Sequence, residues 1–324
     1  MRVLRLALLA AGIALLAALV ARVGIPSIAE AVARVTWWQF ALLCVPHGAV
    51  MAVDTLGWRF AFGRDRTPFV ALLGARIAGD ALNLVTAVAS VGGEAVKAWL
   101  IRGHVPYGES LPSLVVAKTT STVSQGLFLA AGVVLAAITL DLDTGFWRSM
   151  LWLLLLEAVA VGGFVLVQLS GAIGQAGRLL AWFGHGDGLA SARRLDTSLR
   201  QYYRRQWRRW LASTGFHFVG WALGGVEAFL ILHALQVPLS LATSLVIEAF
   251  GTAIRFATFL VPASIGALEG ANAGAFAALG AGAGAGLAFT FVRRGRQAVW
   301  VAVGLIVLVA MRSRGWAVEA RPTT

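Results

Sequence analysis

The chain has 324 residues, of which 59% are hydrophobic and only 13% charged, whereas a soluble domain carries roughly 45–50% apolar and about 25% charged residues. With a mean hydropathy of +0.79, this excludes a disordered, fibrous or ordinary soluble protein and points to several membrane spans. The net charge of +12 would suggest nucleic acid in a soluble chain; in lipid it marks cytoplasmic loops beside anionic headgroups, so no nucleic-acid partner is expected.

Residues 6–21 are apolar behind Arg2 and Arg5. Alone they would fit a signal peptide, but further spans follow, so they are read as a retained first helix. Residues 37–62 form the next span, with Trp37 and Trp38 as interface anchors and Asp54 inside. Cys44, the single cysteine, is read as a small core or lipid-facing residue. Residues 68–89 are apolar but interrupted by Gly74, Arg76, Gly79, Asp80 and Asn83; Ser90, Glu94, Lys97 and Arg102 follow. Residues 111–140 span again, with Lys118 and a run of hydroxyls from Thr119 to Ser124. Residues 151–169 hold Glu157, and their entry loop holds Asp141 and Asp143.

Residues 171–209 are the long polar segment. Seven arginines lie between Arg193 and Arg209, and Leu195, Leu199, Tyr202, Gln206 and Trp210 recur at helical spacing. That pattern predicts a cytoplasmic amphipathic helix lying on an anionic lipid surface. Residues 210–235 span with Glu227 inside; 239–261 are interrupted by Glu248, Gly251 and Arg255; Pro262, Ser264 and Glu269 precede a Gly/Ala run. Residues 287–311 close the membrane region with Arg293, Arg294 and Arg296 in their first half.

The positive-inside rule puts the Arg-rich segment in the cytoplasm, the Asp141–Asp143 loop outside and both termini inside. Residues 68–94 then leave by the face they enter, and 239–282 must return to the outer face. The fold class is therefore an all-α polytopic membrane protein of about six full spans plus two re-entrant helical hairpins. Eight spans are the alternative, because 239–261 is long enough to cross.

The hairpins resemble each other. Gly79-Asp-Ala-Leu-Asn83-Leu-Val-Thr86, then Ser90-Val-Gly-Gly-Glu94, parallels Gly251-Thr-Ala-Ile-Arg255-Phe-Ala-Thr258, then Ser264-Ile-Gly-Ala-Leu-Glu269. The charge count puts the copies on opposite faces, the signature of inverted repeats in transporters. The chain reads as one domain over 1–324, with repeat-bearing halves at about 37–140 and 210–311. Broken backbone and charge at membrane depth are tolerated only inside protein or along a water-filled cavity. The candidate substrate pathway is therefore Asp54, Arg76, Asp80, Asn83, Ser90, Glu94, Lys97, Lys118, Glu248, Arg255, Ser264, Glu269 and Arg293. Arg76, Arg255 and Arg293 suit a phosphate; Asp80, Glu94 and Glu269 suit a cationic or hydroxylated group, or a proton relay.

The stretch Gly79 to Lys97 with its Ser-Val-Gly-Gly-Glu-Ala-Val-Lys, and Pro262-Ala-Ser-Ile-Gly-Ala-Leu-Glu269-Gly, resemble the two signatures of the lysylphosphatidylglycerol synthase transmembrane (flippase-like) family. Asp54-Thr-Leu-Gly-Trp-Arg59 and Phe291-Val-Arg-Arg-Gly-Arg-Gln-Ala-Val-Trp300 resemble its HpnL-type, hopanoid-associated branch. Ala89-Ser90-Val91 stands where family members often carry Pro and Arg. The resemblance implies a lipid translocase of a bacterial inner membrane, with lipids as partners and proteins of lipid or hopanoid biosynthesis as candidate neighbours.

Two other classes are weighed against it. The first is an intramembrane enzyme. His47, His104, His185, His217 and His233 show no H-E-x-x-H spacing, Gly-x-Ser-x-Gly is absent, and no P-loop Lys-Ser/Thr follows the glycine runs. No aminoacyl-transfer domain, cofactor or metal site is read, so enzymatic activity is not expected. The second is a non-transporting subunit of a lipid or hopanoid assembly complex.

Overall fold

The computed structural model describes residues 2–64, 67–85, 91–140, 144–170 and 187–313. Ser90, Asp141, Asp143, the 171–186 part of the Arg-rich segment, and Arg314 and Arg321 lie outside them. Every described element is helical. Six helical stretches are long and apolar enough to cross a membrane: Leu6–Val23, Trp37–Ala61, Tyr107–Thr139, Thr144–Gln168, Trp207–Ala234 and Ala283–Ser313. These match the six expected spans, and the chain is an all-α polytopic membrane protein.

In chain order the helices are α1 (Arg2–Val23), α2 (Ile25–Ala33), α3 (Trp37–Leu43), α4 (Val45–Ala61), α5 (Phe69–Val85), α6 (Val91–Leu100), α7 (Tyr107–Thr139), α8 (Thr144–Ser170), α9 (Asp187–Arg205), α10 (Trp207–Ala234), α11 (Leu241–Ala257), α12 (Ala267–Ala278) and α13 (Ala283–Ser313). A 3-10 turn, Pro262–Ser264, joins α11 to α12. At 1.5 Å per residue the 17-residue α5 and α11 reach about 26 Å, short of a hydrocarbon core of roughly 30 Å. Their short partners α6 and α12 complete two helical hairpins, and the count favours six spans over eight.

α4 and α10 pack antiparallel at the centre. His47 meets Glu227, Asp54 meets His217, the Ser213 hydroxyl donates to the Gly57 carbonyl, and Arg209 reaches the carbonyls of Arg59 and Phe62. Those last two carbonyls belong to the end of α4, where a cation also complements the helix dipole. α13 runs antiparallel to α5, with Gly304 against Ile77 and Ala81 and Gly74 against Met311. Small residues here let backbones approach, as expected where no water drives helices together.

The hydroxyl run on α7 is packing material. Thr120 contacts the Ser213 hydroxyl at 2.8 Å, Ser124 donates to the Thr214 carbonyl at 2.6 Å, and Gln125 donates to the Thr252 carbonyl at 2.9 Å. These bonds tie α7 to α10 and α11.

The expected amphipathic helix exists as α9, but its apolar face is covered by protein. Leu199 and Tyr202 are buried with Trp58, Phe62 and Leu114, and Leu195, Tyr203 and Trp210 pack around them. The Tyr202 hydroxyl donates to the Phe60 carbonyl at 2.9 Å; burial pushes the phenol well above its ordinary pKa, so it stays a neutral donor. The expected continuous helix breaks at Gln206, whose φ of −119° and ψ of 32° separate α9 from α10. Arg200, Arg204, Arg205 and Arg208 remain exposed.

Candidate functional site

The two hairpins are closed by different devices. In the first, Gly79 of α5 faces the backbone of α6: a Cβ there would lie 2.8 Å from the Gly93 carbonyl oxygen. Asn83 accepts from the Gly93 amide at 2.9 Å and donates to Glu94 at 3.3 Å. That amide is one of the unpaired N–H groups at a helix start, and Glu94 in the first turn of α6 complements the same end. In the second hairpin the chain turns through left-handed backbone at Ala263, Ser264 and Gly266. The Gly266 amide donates to Glu269 at 2.7 Å, and Thr258 donates to the Ser264 hydroxyl at 2.9 Å.

The charges of the first half form one connected chain. His217 Nδ1 lies 2.9 Å from Asp54, Arg76 reaches Asp54 at 3.0 Å and Asp80 at 3.5 Å, and Lys97 bridges Asp80 at 2.7 Å and Glu94 at 2.9 Å. The charges of the second half form three clusters. Arg293 grips both oxygens of Glu248 and Arg255 takes one of them at 2.9 Å. Arg294 pairs with Glu269 at 2.9 Å. Arg296 pairs with Glu227, whose other oxygen lies 3.3 Å from His47 Nδ1. Each of Asp54 and Glu227 thus sits between an arginine and a histidine of the facing helix. Their acidic positions are 173 residues apart and the two histidines 170 apart.

A cavity of about 320 Å³ lies where these groups meet. His47, Asp54, Glu227, Glu248, Arg255 and Arg293 line it, with Leu84 from the first hairpin and Ser264 from the second. Arg294 and Arg296 also face it. Four guanidiniums stand here with four carboxylates, Asp54 and the glutamates Glu227, Glu248 and Glu269, each glutamate no more than 2% exposed. Arg255 holds only a shared oxygen and its side chain is 32% exposed, so it is the half-paired guanidinium of the cavity wall. Its guanidinium fork suits phosphate oxygens.

Of the expected pathway residues, Asp54, Glu248, Arg255, Ser264 and Arg293 line the cavity, and Glu269 sits behind Arg294. Arg76, Asp80, Asn83, Glu94 and Lys97 form the connected chain leading from Asp54. Lys118 is exposed on α7, with no side-chain hydrogen bond or ion pair among the described residues. Ser90 lies outside the described residues. Sequence reasoning passed over His47, His217, Glu227, Arg294 and Arg296 as site members. The usable signal was an ionisable side chain inside an apolar span, which Glu227 and the three arginines of α13 all carry. Glu157 of α8 carries the same signal, but lies apart from the cavity, 1% exposed and with neither oxygen hydrogen-bonded. Among the described residues no group of three His, Cys, Asp or Glu is placed to hold a metal ion.

Fold and site together define a polytopic helical membrane protein whose charged side chains are gathered inward around a cavity between two short hairpins. The chain belongs to the lysylphosphatidylglycerol synthase transmembrane family: the model of the lysylphosphatidylglycerol synthase TM region matches residues 2–310. It is thus a membrane protein linked to lipid handling. No curated protein and no solved structure matches the chain.

Proposed function

We propose that this chain is a lipid translocase that moves a lipid with an anionic phosphate headgroup between leaflets. The observation that carries the reading is the cavity wall, where Arg255 is a half-paired cation beside Arg293 and the buried Glu248. A headgroup desolvated at membrane depth needs a charge-assisted partner already in place. Arg255 meets that need without stranding another group, because Glu248 keeps Arg293. The first-half chain from Asp54 through Arg76, Asp80 and Lys97 to Glu94 extends the polar route, with Asn83 holding its hairpin and Lys118 flanking it on α7. Glu269 and Ser264 shape the second hairpin.

The same reading takes the hairpins as re-entrant and as inverted copies, with both termini and the arginines of α9 on the cytoplasmic face of a bacterial inner membrane. Anionic lipid then meets the exposed arginines of α9 by charge alone. The reciprocal places of Asp54 and Glu227 support the repeat. The likeness of Asp54–Arg59 and Phe291–Trp300 to a hopanoid-associated branch makes polar hopanoid-type lipids the second substrate class to assay.

The test is a reconstituted leaflet assay. Proteoliposomes carrying the chain are loaded with labelled phosphatidylglycerol or a labelled polar hopanoid in one leaflet, and appearance in the other is followed. Movement of the phospholipid that Arg255→Ala abolishes is the expected result. No movement of either lipid by well-folded protein, with stable co-purification of a biosynthetic membrane enzyme, would overturn it in favour of a non-transporting subunit.

A further inference from the structure

We infer that α1 is a releasable strap over the second hairpin, and that its release opens the cavity sideways to lipid. The inference rests on the lipid reading above. Gly12 is the single buried residue of Leu6–Val23. It sits where α1 crosses the turn between α11 and α12, and the contact is reciprocal. A Cβ on Gly12 would overlap the Ile265 carbonyl oxygen, and a Cβ on Gly266 would overlap the Gly12 carbonyl oxygen. Backbone therefore touches backbone, an approach that needs glycine on both sides.

The turn under Gly12 is the strained part of the hairpin. Ala263 and Ser264 both have a φ of 51°, a left-handed conformation that such residues keep only when their surroundings impose it. On the inner side Ser264 accepts from Thr258, and the Gly266 amide donates to Glu269. Ala263 and Ser264 also line the cavity. The wall there is a single turn of backbone, with the cavity on one side and α1 on the other. Beside it Phe259 and Leu260 are exposed.

α1 is held by apolar contact alone. Along Leu6–Val23 no hydrogen bond or ion pair reaches another helix among the described residues. A Cβ on Gly270 of α12 would lie 3.6 Å from Leu19 and 3.8 Å from Leu15, ordinary packing distances. Such contacts carry no hydrophobic drive in a bilayer, because lipid tails are as apolar as leucine. Gly24 joins α1 to α2 with a φ of 91°, backbone that glycine takes up freely. α2 is anchored by the buried Ile28 against Ala273 and Leu287. The joint lets α1 turn while α2 stays, as hinges at element ends do.

Seated, α1 seals the polar wall from hydrocarbon, which charges at membrane depth require. Once α1 leaves, the turn loses its outer support, Ala263 and Ser264 relax, and the wall parts. A headgroup then enters from the side while its acyl chains remain in the bilayer.

The test uses the full chain in proteoliposomes with labelled phosphatidylglycerol. Leu15→Cys and Gly270→Cys are combined with Cys44→Ser, which removes the native thiol, and a short bis-methanethiosulfonate joins the pair. The joined protein should move lipid at least about tenfold more slowly than its reduced form, because a locked lid sets the rate. Reductant should restore movement, and either single cysteine variant should be insensitive. Equal movement before and after reduction would overturn the inference and leave the lipid reading intact. No movement by any form, wild type included, would overturn both together. Gly12→Leu asks the converse question, since its side chain lifts α1 off the turn. Normal abundance with movement at or above the wild-type rate is expected. Normal abundance with movement lost would make α1 a fixed support of the turn and refute the strap.

Discussion

Arg255 and Arg293 reach the same buried carboxylate, Glu248, but hold it unequally: Arg293 binds both oxygens and Arg255 only one. Removing each should therefore have a different consequence. Arg255→Ala leaves Glu248 bidentate, so thermal stability in detergent and membrane abundance should stay near wild type while lipid movement falls at least about tenfold, a loss on the order of 1.4 kcal/mol in the limiting step. Arg293→Ala leaves Glu248, 2% exposed, with a single bond, and breaking a buried pair costs about 3 kcal/mol or more. A melt in which both variants lose stability equally would contradict this division.

Gly79 and Gly251 occupy matching places in the two hairpins but different surroundings. A methyl at Gly79 would press on the Gly93 carbonyl, while at Gly251 the nearest atoms lie at 3.9 Å. Gly79→Ala should cost about 1–3 kcal/mol through overpacking. Gly251→Ala should be neutral or stabilise by roughly 0.5–1 kcal/mol, the ordinary gain of Ala over Gly inside a helix. Paired thermal melts check the sign at each position.

Glu94 and Glu269 look equivalent in sequence yet do unlike work. Glu269 is buried, caps the Gly266 amide and pairs with Arg294. Glu94 is 30% exposed and accepts from Lys97 and Asn83. Glu269→Gln should lower stability by about 1–2 kcal/mol, because it removes the buried carboxylate that caps the Gly266 amide and pairs with the half-buried Arg294. Glu94→Gln should fold like wild type and lose lipid movement, since Lys97 keeps Asp80. Expression level and leaflet assay, run on both, separate the two effects.

Glu157 is a carboxyl set into a predominantly apolar helix with no hydrogen bond to either oxygen, facing Gly126 of α7, where a Cβ would lie 3.8 Å from its side chain. An unsatisfied buried polar group costs about 1–3 kcal/mol. Glu157→Met should raise the melting temperature without changing lipid movement. A variant that is more stable but inactive would instead give this carboxyl a part in transport.

The six spans were legible because each is a run long enough to cross lipid, and the two hairpins because Gly, Pro and charge interrupt runs at Gly79, Asp80, Gly251 and Pro262. The amphipathic helix was legible in the spacing of Leu199 and Tyr202, but not its partner: the spacing marks an apolar face without saying whether lipid or protein covers it. The hydroxyl run of α7 was legible as a polar run inside a span, but not its part as helix contacts to α10 and α11. His47, Glu227 and Arg296 were passed over because they come together from three helices, His47 standing 180 positions from Glu227.

By itself the sequence determined that the chain lives in lipid, that it holds six runs long enough to cross with eight spans as the alternative, and that its charges within the membrane need partners. Those follow from segment length and desolvation, which are local. Which charge answers which was decided only by the antiparallel packing of α4 on α10 and of α13 on α5 and α12. That packing puts two arginines on Glu248, a histidine between Glu227 and Arg296, and leaves Arg255 half-paired. Pairing energy depends on separation in space and on the water excluded around the pair, and neither is written in the order of residues.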